Sequence, residues 1–417
     1  MSLHPNRQDG TGGSKRWIKL SFFYVIIFTA VIISLLVYKS WDEVVILAKH
    51  KQSSAMKGFL NATDTPKSLS NNTGILQPKM ILYWRVNKSC AYFTLTKPGP
   101  SFKDLNCPVN NCVWTDDKAK VKEADAVLFF DHCLKDVIPP QDRNPQGRWV
   151  LVNHESPCHV NTFKVLSQWD GLFNWTMTYT KDSDIYSPYA QVIRNDGDSP
   201  VLSRERSLSI ARNKSSLVAW MVSNCRTLSK REKYVEELDK YIPVDVYGRC
   251  GPLACERRSK RCSKILSDYK FYLAFENSLS KDYVTEKFFN MIPMNVIPIT
   301  RSGANFSRLG IPSALHIDTR DFKSPKDLAE YLKRLDQDDE SYAALLRAKS
   351  NYKLLSWKHS YCDLCKKLND PKEQSKSYST LEIKEQLGSC VPPNDLQHHH
   401  FLQNRPEDEI YMEVPHN

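Results

Sequence analysis

Scarcity and absence narrow the class of this chain before any motif is read. Its 417 residues include only 14 glycines and 23 prolines, too few for a collagen-like or low-complexity protein. Dense blocks of like charge are missing too. The net charge of +11 comes from 58 Lys and Arg against 47 Asp and Glu, spread along the chain. The tightest basic clusters are Arg257, Arg258, Lys260 and Arg261 in one place and Lys15, Arg16 and Lys19 in another. Both are too short for a nucleic-acid-binding arm, so no nucleic-acid partner is expected, and a smaller anionic partner such as a nucleotide suits the charge better. Cysteine does not occur before Cys90, and N-x-[ST] sequons do not occur before Asn61.

What is there first is an uncharged run at residues 20–38, LSFFYVIIFTAVIISLLVY. At about 1.5 Å per residue it crosses a bilayer core of ~30 Å. No small-x-small cleavage site follows it, and it is longer than the apolar core of a signal peptide. Arg7, Lys15, Arg16 and Lys19 precede it, whereas Asp42 and Glu43 follow. The positive-inside rule then keeps residues 1–19 in the cytosol. The expectation is a single-pass type II membrane anchor with everything after it in the secretory lumen. All 12 cysteines fall on that side, as disulfides in an oxidising compartment require. So do the N-glycosylation candidates Asn61, Asn71, Asn87, Asn174, Asn213 and Asn305.

Residues 39–78 are polar and read as a stem. Apolar runs at 80–86 (MILYWRV), 126–130 (AVLFF) and 149–153 (WVLVN) suit buried strands and make residues 79–205 an α/β domain. The second half alternates more regularly. A strand at 217–222 (LVAWMV) precedes helical spacing over 228–241, with Tyr234, Val235, Leu238 and Tyr241 on one face. A strand at 244–247 closes on Gly248. A strand at 271–275, a helix over 284–292 and a strand at 296–299 repeat the pattern. Ser324 and Pro325 are an N-cap and N1 pair for a helix with Leu328, Tyr331, Leu332 and Leu335 on its apolar stripe. Strand–helix–strand order implies a parallel sheet with right-handed crossovers. Residues 206–370 therefore read as a Rossmann-like nucleotide domain. The fold class is α/β, with two such halves facing a cleft suited to a sugar nucleotide. Residues 371–417 are a polar C-terminal tail, read as disordered after Cys390, and His398, His399 and His400 in it are not taken as metal ligands.

The stretch 271–299 carries the most chemistry. A strand delivers Glu276 and Asn277 to its carboxyl end, and Tyr283, Thr285, Glu286 and Lys287 then open a helix. A helix start offers free N–H groups to a diphosphate. Lys287 adds a point charge, Glu286 can accept from ribose hydroxyls, and Tyr283 can stack or donate.

The run AFENS…DYVTEKFF resembles the signature of the α1,3-fucosyltransferase family. Other blocks match in the same order: HESP at 154–157, FNWTMTY at 173–179, LVAWMVSNC at 217–225, VDVYG at 244–248, DFKSP at 321–325, and Ser356 and Trp357 followed by CDLC at 362–365. Together they cover residues 79–370. The resemblance implies a GT-B fold and transfer of L-fucose from GDP-fucose with inversion. It implies no obligatory cofactor and leaves Mn²⁺ stimulation open. It assigns Glu155 as general base and Arg231, Glu276, Asn277, Tyr283, Glu286 and Lys287 to the donor. It also implies that Cys362 and Cys365 bridge back to Cys107 and Cys112. Cys250, Cys255 and Cys262 are left to local pairing or to Cys225. The lumen it implies is that of the Golgi. The stretch 247–255 looks most like invertebrate enzymes that modify the innermost N-acetylglucosamine of N-glycans. An antenna enzyme acting on N-acetyllactosamine and a catalytically silent glycan binder on the same fold are the rival readings. The sequence departs from the family at Thr180, where an Arg is usual, and Lys181 is the residue that could replace it. Asp182 with Asp184, and Asp196 with Asp198, make D-x-D triplets, a pattern common by chance, and are not taken as metal ligands.

Overall fold

Two parts of the sequence place their apolar runs in parallel sheets. The computed structural model describes residues 77–84, 100–134, 137–158, 167–197, 200–255 and 260–396. The expected anchor at 20–38, Asn61, Asn71 and Asn87 lie outside them, as do the residues of the 39–78 stem up to 76 and the three tail histidines.

The first sheet holds β1 (Lys79–Tyr83), β2 (Cys112–Thr115), β3 (Ala126–Phe130), β4 (Arg148–Asn153), β5 (Trp175–Thr178) and β6 (Ile185–Tyr186). All its pairings are parallel, in the order β2-β1-β3-β4-β5-β6. Every residue of β3 is buried, as expected of a central parallel strand. The chain leaves through β7 (Ala190–Arg194) and helix α1 (Arg204–Arg212).

The second sheet holds β8 (Ser216–Met221), β9 (Val244–Tyr247), β10 (Tyr269–Phe275), β11 (Ile297–Arg301) and β12 (Ile317–Asp318). It too is wholly parallel, in the order β12-β11-β10-β8-β9. Counted from its own first strand this is 2-1-3-4-5, the same doubly-wound order with which the first sheet begins. Its crossovers carry α2 (Arg231–Asp239), α3 (Lys260–Ser267) and α4 (Glu286–Phe289), and α5 (Pro325–Gln337) and α6 (Asp339–Ser350) follow β12. The Ser324 hydroxyl accepts from the Asp327 N–H with Pro325 in the first turn, as the sequence indicates. The helix expected over 284–292 is only the four residues of α4. Past it the chain continues in tighter turns, with the Met291 and Ile292 N–H groups donating to the Phe288 and Phe289 carbonyls, up to Pro293.

After α6 the chain pairs β13 (Tyr352–Ser356) antiparallel with β7 and returns to the first sheet. Helix α7 (Ser360–Leu368) packs Tyr361, Leu364 and Cys365 against one face of that sheet, beside Ile81, Leu128, Val150 and Met177. Helix α8 (Thr380–Leu387) packs Ile383 and Leu387 against the other face, beside Val127, Trp149 and Leu151. Within the polar tail that begins at 371, α8 is fixed by a capping box of Ser379 and Glu382 and by the burial of those two apolar residues. Disulfides fix α7: Cys107 bonds Cys362 and Cys112 bonds Cys365, joining the two pairs of cysteines that the resemblance brings together. Cys225 bonds Cys250, Cys255 bonds Cys262, and Cys158 bonds Cys390.

Candidate active site

Residues that end parallel strands collect at one edge of a sheet, which is where open α/β sheets bind ligands. At that edge of the first sheet stand Asp131 after β3, His154 and Glu155 after β4, and Tyr179 after β5. At that edge of the second stand Ser223 and Asn224 after β8, Gly248 after β9, Glu276 and Asn277 after β10, and Ser302 after β11. Gly248 has φ +98°, and a Cβ there would lie 2.6 Å from the Val222 carbonyl oxygen, so the turn accepts only glycine without rearrangement.

The two edges touch. The Tyr283 hydroxyl, from the loop between β10 and α4, donates to Glu155 Oε1 at 2.5 Å. The same oxygen accepts the Ser156 N–H at 2.9 Å. Oε2 has no hydrogen-bond partner among the described residues. One oxygen of this half-buried carboxylate is thus pinned by two donors and the other is left to accept a proton. Around it, the Ser156 and Ser280 hydroxyls bond at 3.1 Å, the Tyr189 hydroxyl donates to the His154 carbonyl at 2.5 Å, and the Tyr179 and Tyr283 rings meet edge-on at 5.2 Å. Burial, then neighbouring Tyr189 and Glu155, push the Tyr283 phenol well above its usual range, so it stays protonated and donating. Tyr283 was expected to stack on a ligand or donate to it. It is instead fully buried, and its hydroxyl is committed to Glu155.

Glu276 is 1% exposed. Its carboxylate accepts from the Thr285 N–H at 2.8 Å, from the Thr285 hydroxyl, and from Lys287 Nζ at 3.0 Å. This corrects two expectations. Glu276, expected at the donor, spends its carboxylate on Lys287 and Thr285, and the start of α4 has no free Thr285 N–H because that buried carboxylate takes it. Lys287 is pressed by burial towards neutrality, but Glu276 and Glu286, at 3.6 Å, outweigh that and raise its pKa, so the ammonium is charged. Glu286 is 46% exposed, and the Lys287 side chain keeps one exposed side. Asn277 is half-buried, and its Oδ1 has no partner.

Arg231 was expected to clamp phosphate. It is 5% exposed, and it donates from Nη1 to the Phe275 carbonyl at 2.7 Å and from Nη2 to the Asn224 carbonyl at 3.3 Å. It ties the ends of β8 and β10 together, and only its Nε is left without a partner. Lys181, the proposed stand-in for the missing arginine, is exposed, with its ammonium 5.9 Å from the centroid of the Tyr186 ring. Asp182 pairs with Lys281 at 2.6 Å and Arg308 at 2.5 Å, while Asp184 accepts the Thr176 N–H at 2.9 Å and pairs with Lys376. Both carboxylates of that D-x-D triplet are taken by cations of the protein. Among the described residues no group of three or more His, Cys, Asp or Glu is arranged to hold a metal ion.

Asn174, a sequon candidate, is buried. Its amide oxygen accepts the Trp149 N–H at 2.8 Å and a bond from Arg143, and its amide donates to the Lys376 carbonyl at 2.6 Å. It cannot carry a glycan in this fold. Asn213 and Asn305 are exposed. Thr285 was read only as part of a helix start. A Thr directly before Glu-Lys is the N-cap signal that could have singled it out.

Two family models match this chain. The fucosyltransferase N-terminal model covers residues 76–190, and the C-terminal model of glycosyltransferase family 10 (fucosyltransferase) covers residues 211–384. The chain belongs to the family 10 fucosyltransferases. Within this family, α-(1,3)-fucosyltransferase C of Drosophila melanogaster is 36% identical over 288 residues, 64% of this chain and 67% of that protein. Glycoprotein 3-α-L-fucosyltransferase A of the same fly is 37% identical over 279 residues, 66% of this chain and 54% of that protein. A 3-galactosyl-N-acetylglucosaminide 4-α-L-fucosyltransferase of Bos taurus is 36% identical over 335 residues, 78% of this chain and 85% of that protein. A crystal structure of an α1,3-fucosyltransferase with GDP-fucose superposes with a TM-score of 0.45 at 16% identity, covering 76% of this chain and 96% of that one.

Proposed function

We propose that the protein is an inverting α1,3-fucosyltransferase of GT-B architecture. In this reading it moves L-fucose from GDP-fucose to N-acetylglucosamine of N-glycans, at the innermost residue. The observation that carries the reading is the asymmetry of Glu155, with Oε1 held by Tyr283 and Ser156 while Oε2 has no partner among the described residues. Oε2 takes the proton of the acceptor hydroxyl as its oxygen attacks the anomeric carbon, and the bond from that carbon to GDP breaks on the opposite face. Lys287, held from behind by Glu276, faces the charge that develops on the diphosphate. No obligatory cofactor is assigned. A divalent cation such as Mn²⁺ that hastens departure of GDP is compatible with the scheme.

The fly glycoprotein relative and the 247–255 stretch support the innermost acceptor. The bovine relative, which this chain covers at 85% and whose name specifies a galactosyl-N-acetylglucosaminide, favours a second reading as an antenna enzyme. The membrane reading goes with the first: the 20–38 run anchors a type II Golgi protein whose catalytic part is lumenal.

The test is a transfer assay with GDP-fucose and EDTA that offers a core N-glycan glycopeptide and N-acetyllactosamine side by side. Product on the glycopeptide is expected. Product only on the lactosamine selects the antenna reading, and no product with either acceptor under EDTA or Mn²⁺, with GDP still bound, selects a silent binder. Glu155→Gln is expected to lower turnover by about 10²–10⁴-fold with GDP affinity within two-fold of wild type. Undiminished turnover removes Glu155 as the base.

A further inference from the structure

Arg301 ends β11 and is 2% exposed. Its Nε and Nη2 donate to the two carboxylate oxygens of Asp395 at 2.6 and 2.7 Å, and its Nη1 donates to the Ser229 carbonyl at 2.7 Å. Ser229 in turn donates its N–H to the Asn277 carbonyl at 3.1 Å and its hydroxyl to the Glu276 carbonyl at 2.7 Å. The Arg301 carbonyl accepts the Glu276 N–H at 3.0 Å. Three backbone groups of the Glu276–Asn277 turn are therefore held by Arg301 and Ser229. Among the described residues, Asp395 is the one carboxylate paired with that buried guanidinium.

Asp395 does not belong to the second sheet. It sits on the segment after α8, which starts at the Cys158–Cys390 disulfide, three residues past Glu155. Cys390 bridges Ser280, and the Val391 N–H donates to the Leu279 carbonyl at 2.7 Å. The segment runs from the loop that carries Glu155, over Leu279 and Ser280, to the end of β11.

We propose that residues 390–395 are a strap that fixes the donor half of the site, with Asp395 as its positioning residue. Without its carboxylate the guanidinium is an uncompensated buried charge and turns from Ser229 to find water. The Glu276–Asn277 turn then loosens, and with it the grip of Glu276 on Lys287. The strap acts on donor binding and leaves the proton transfer at Glu155 alone. The proposal rests on the fucosyltransferase reading above.

The test uses the full chain with Asp395→Asn, an isosteric change, and Asp395→Glu, which keeps the charge. GDP titrated calorimetrically into Asp395→Asn is expected to bind at least five-fold more weakly than to wild type. The KM for GDP-fucose rises in parallel, kcat falls several-fold because Lys287 is held less firmly against the developing charge, the acceptor KM stays within two-fold, and Asp395→Glu recovers most of the loss. An unchanged GDP affinity overturns the strap. So does an equal weakening of both substrates, or a lower melting temperature with an unchanged donor KM, since either marks a merely structural role. Hydrogen exchange on the wild type needs no variant: saturating GDP is expected to slow exchange of the 390–395 peptide, and no change there overturns the proposal as well. A wild-type chain that binds no GDP refutes the fucosyltransferase reading itself. Wild-type binding beside an unaffected Asp395→Asn refutes only the strap.

Discussion

Both sheets run their first strands in the order 2-1-3-4-5, yet they are covered in opposite ways. The second sheet is covered by its own crossovers and the helix that follows its last strand: Tyr234, Val235 and Leu238 of α2 and Leu328 and Leu332 of α5 pack on one face, and Phe288 and Phe289 of α4 on the other. The first sheet, among the described residues, has no α-helix between β1 and β7. Its two faces are closed by α7 and α8, more than 200 residues downstream of most of the strands they cover. One half of the molecule is built from local chain, and the other is finished by the far end of the same chain.

The largest expected effect comes from untying that far end. The Cys107–Cys362 and Cys112–Cys365 disulfides close nearly the same loop, with separations of 255 and 253 residues. Breaking one leaves the other to hold the loop and costs about 2–3 kcal/mol, whereas replacing all four cysteines by serine costs roughly 5 kcal/mol or more. Replacing Cys225 and Cys250, 25 residues apart in the second half, costs roughly 3 kcal/mol. Denaturant unfolding of the three variants checks the ranking, and equal losses from either long-range pair alone and from both together contradict it.

Next in size is Asn174→Ala in the first half. It leaves the buried Trp149 N–H and the Lys376 carbonyl without their partner, at about 3 kcal/mol. Asn213→Gln and Asn305→Gln change the stability of the unglycosylated chain by less than about 0.5 kcal/mol. Glycopeptide mass spectrometry should find sugar at Asn213 and Asn305 and none at Asn174. A glycan on Asn174 contradicts the fold around β4 and β5.

An effect smaller than the loss of Asn174 is one the two halves share. Burial lowers the pKa of His154 at the end of β4 to about 4, and burial does the same to His316 before β12. A histidine whose folded pKa lies below its unfolded value of about 6.5 contributes in full above that value. The contribution is lost as pH falls towards 4, because the unfolded chain binds the proton first. By pH 5 each histidine has lost on the order of 2 kcal/mol. His154→Gln and His316→Gln should each flatten the pH dependence of the melting temperature between pH 7 and 5. An unchanged slope in both rejects the burial argument.

The same contrast explains what could be read beforehand. The strands and helices from Leu217 to Leu335 were legible because each apolar stripe is covered by a neighbour in sequence, so its period appears in one short window. The covering role of Ile383 and Leu387 was not legible, since a two-turn helix in polar surroundings has no period that says which sheet it meets. At the site, residue identities were legible and their duties only partly so. Glu155 keeps one carboxylate oxygen without a partner among the described residues and Lys287 keeps an exposed side, as their proposed roles require. Arg231, Glu276 and Tyr283 proved to hold other groups, because a charged or phenolic side chain looks alike in sequence whether it faces a ligand or a buried carbonyl. Asp395 gave no signal, since its partner Arg301 is 94 residues away.

The long-range disulfides also set a clock. At about 5–20 residues per second of synthesis, the 255 residues between Cys107 and Cys362 take roughly 10–50 s to appear. Throughout that interval the earlier cysteines have no native partner, and one face of the first sheet waits without its cover. The half made first is therefore completed last, and any interrupted chain carries reactive thiols beside an open apolar face.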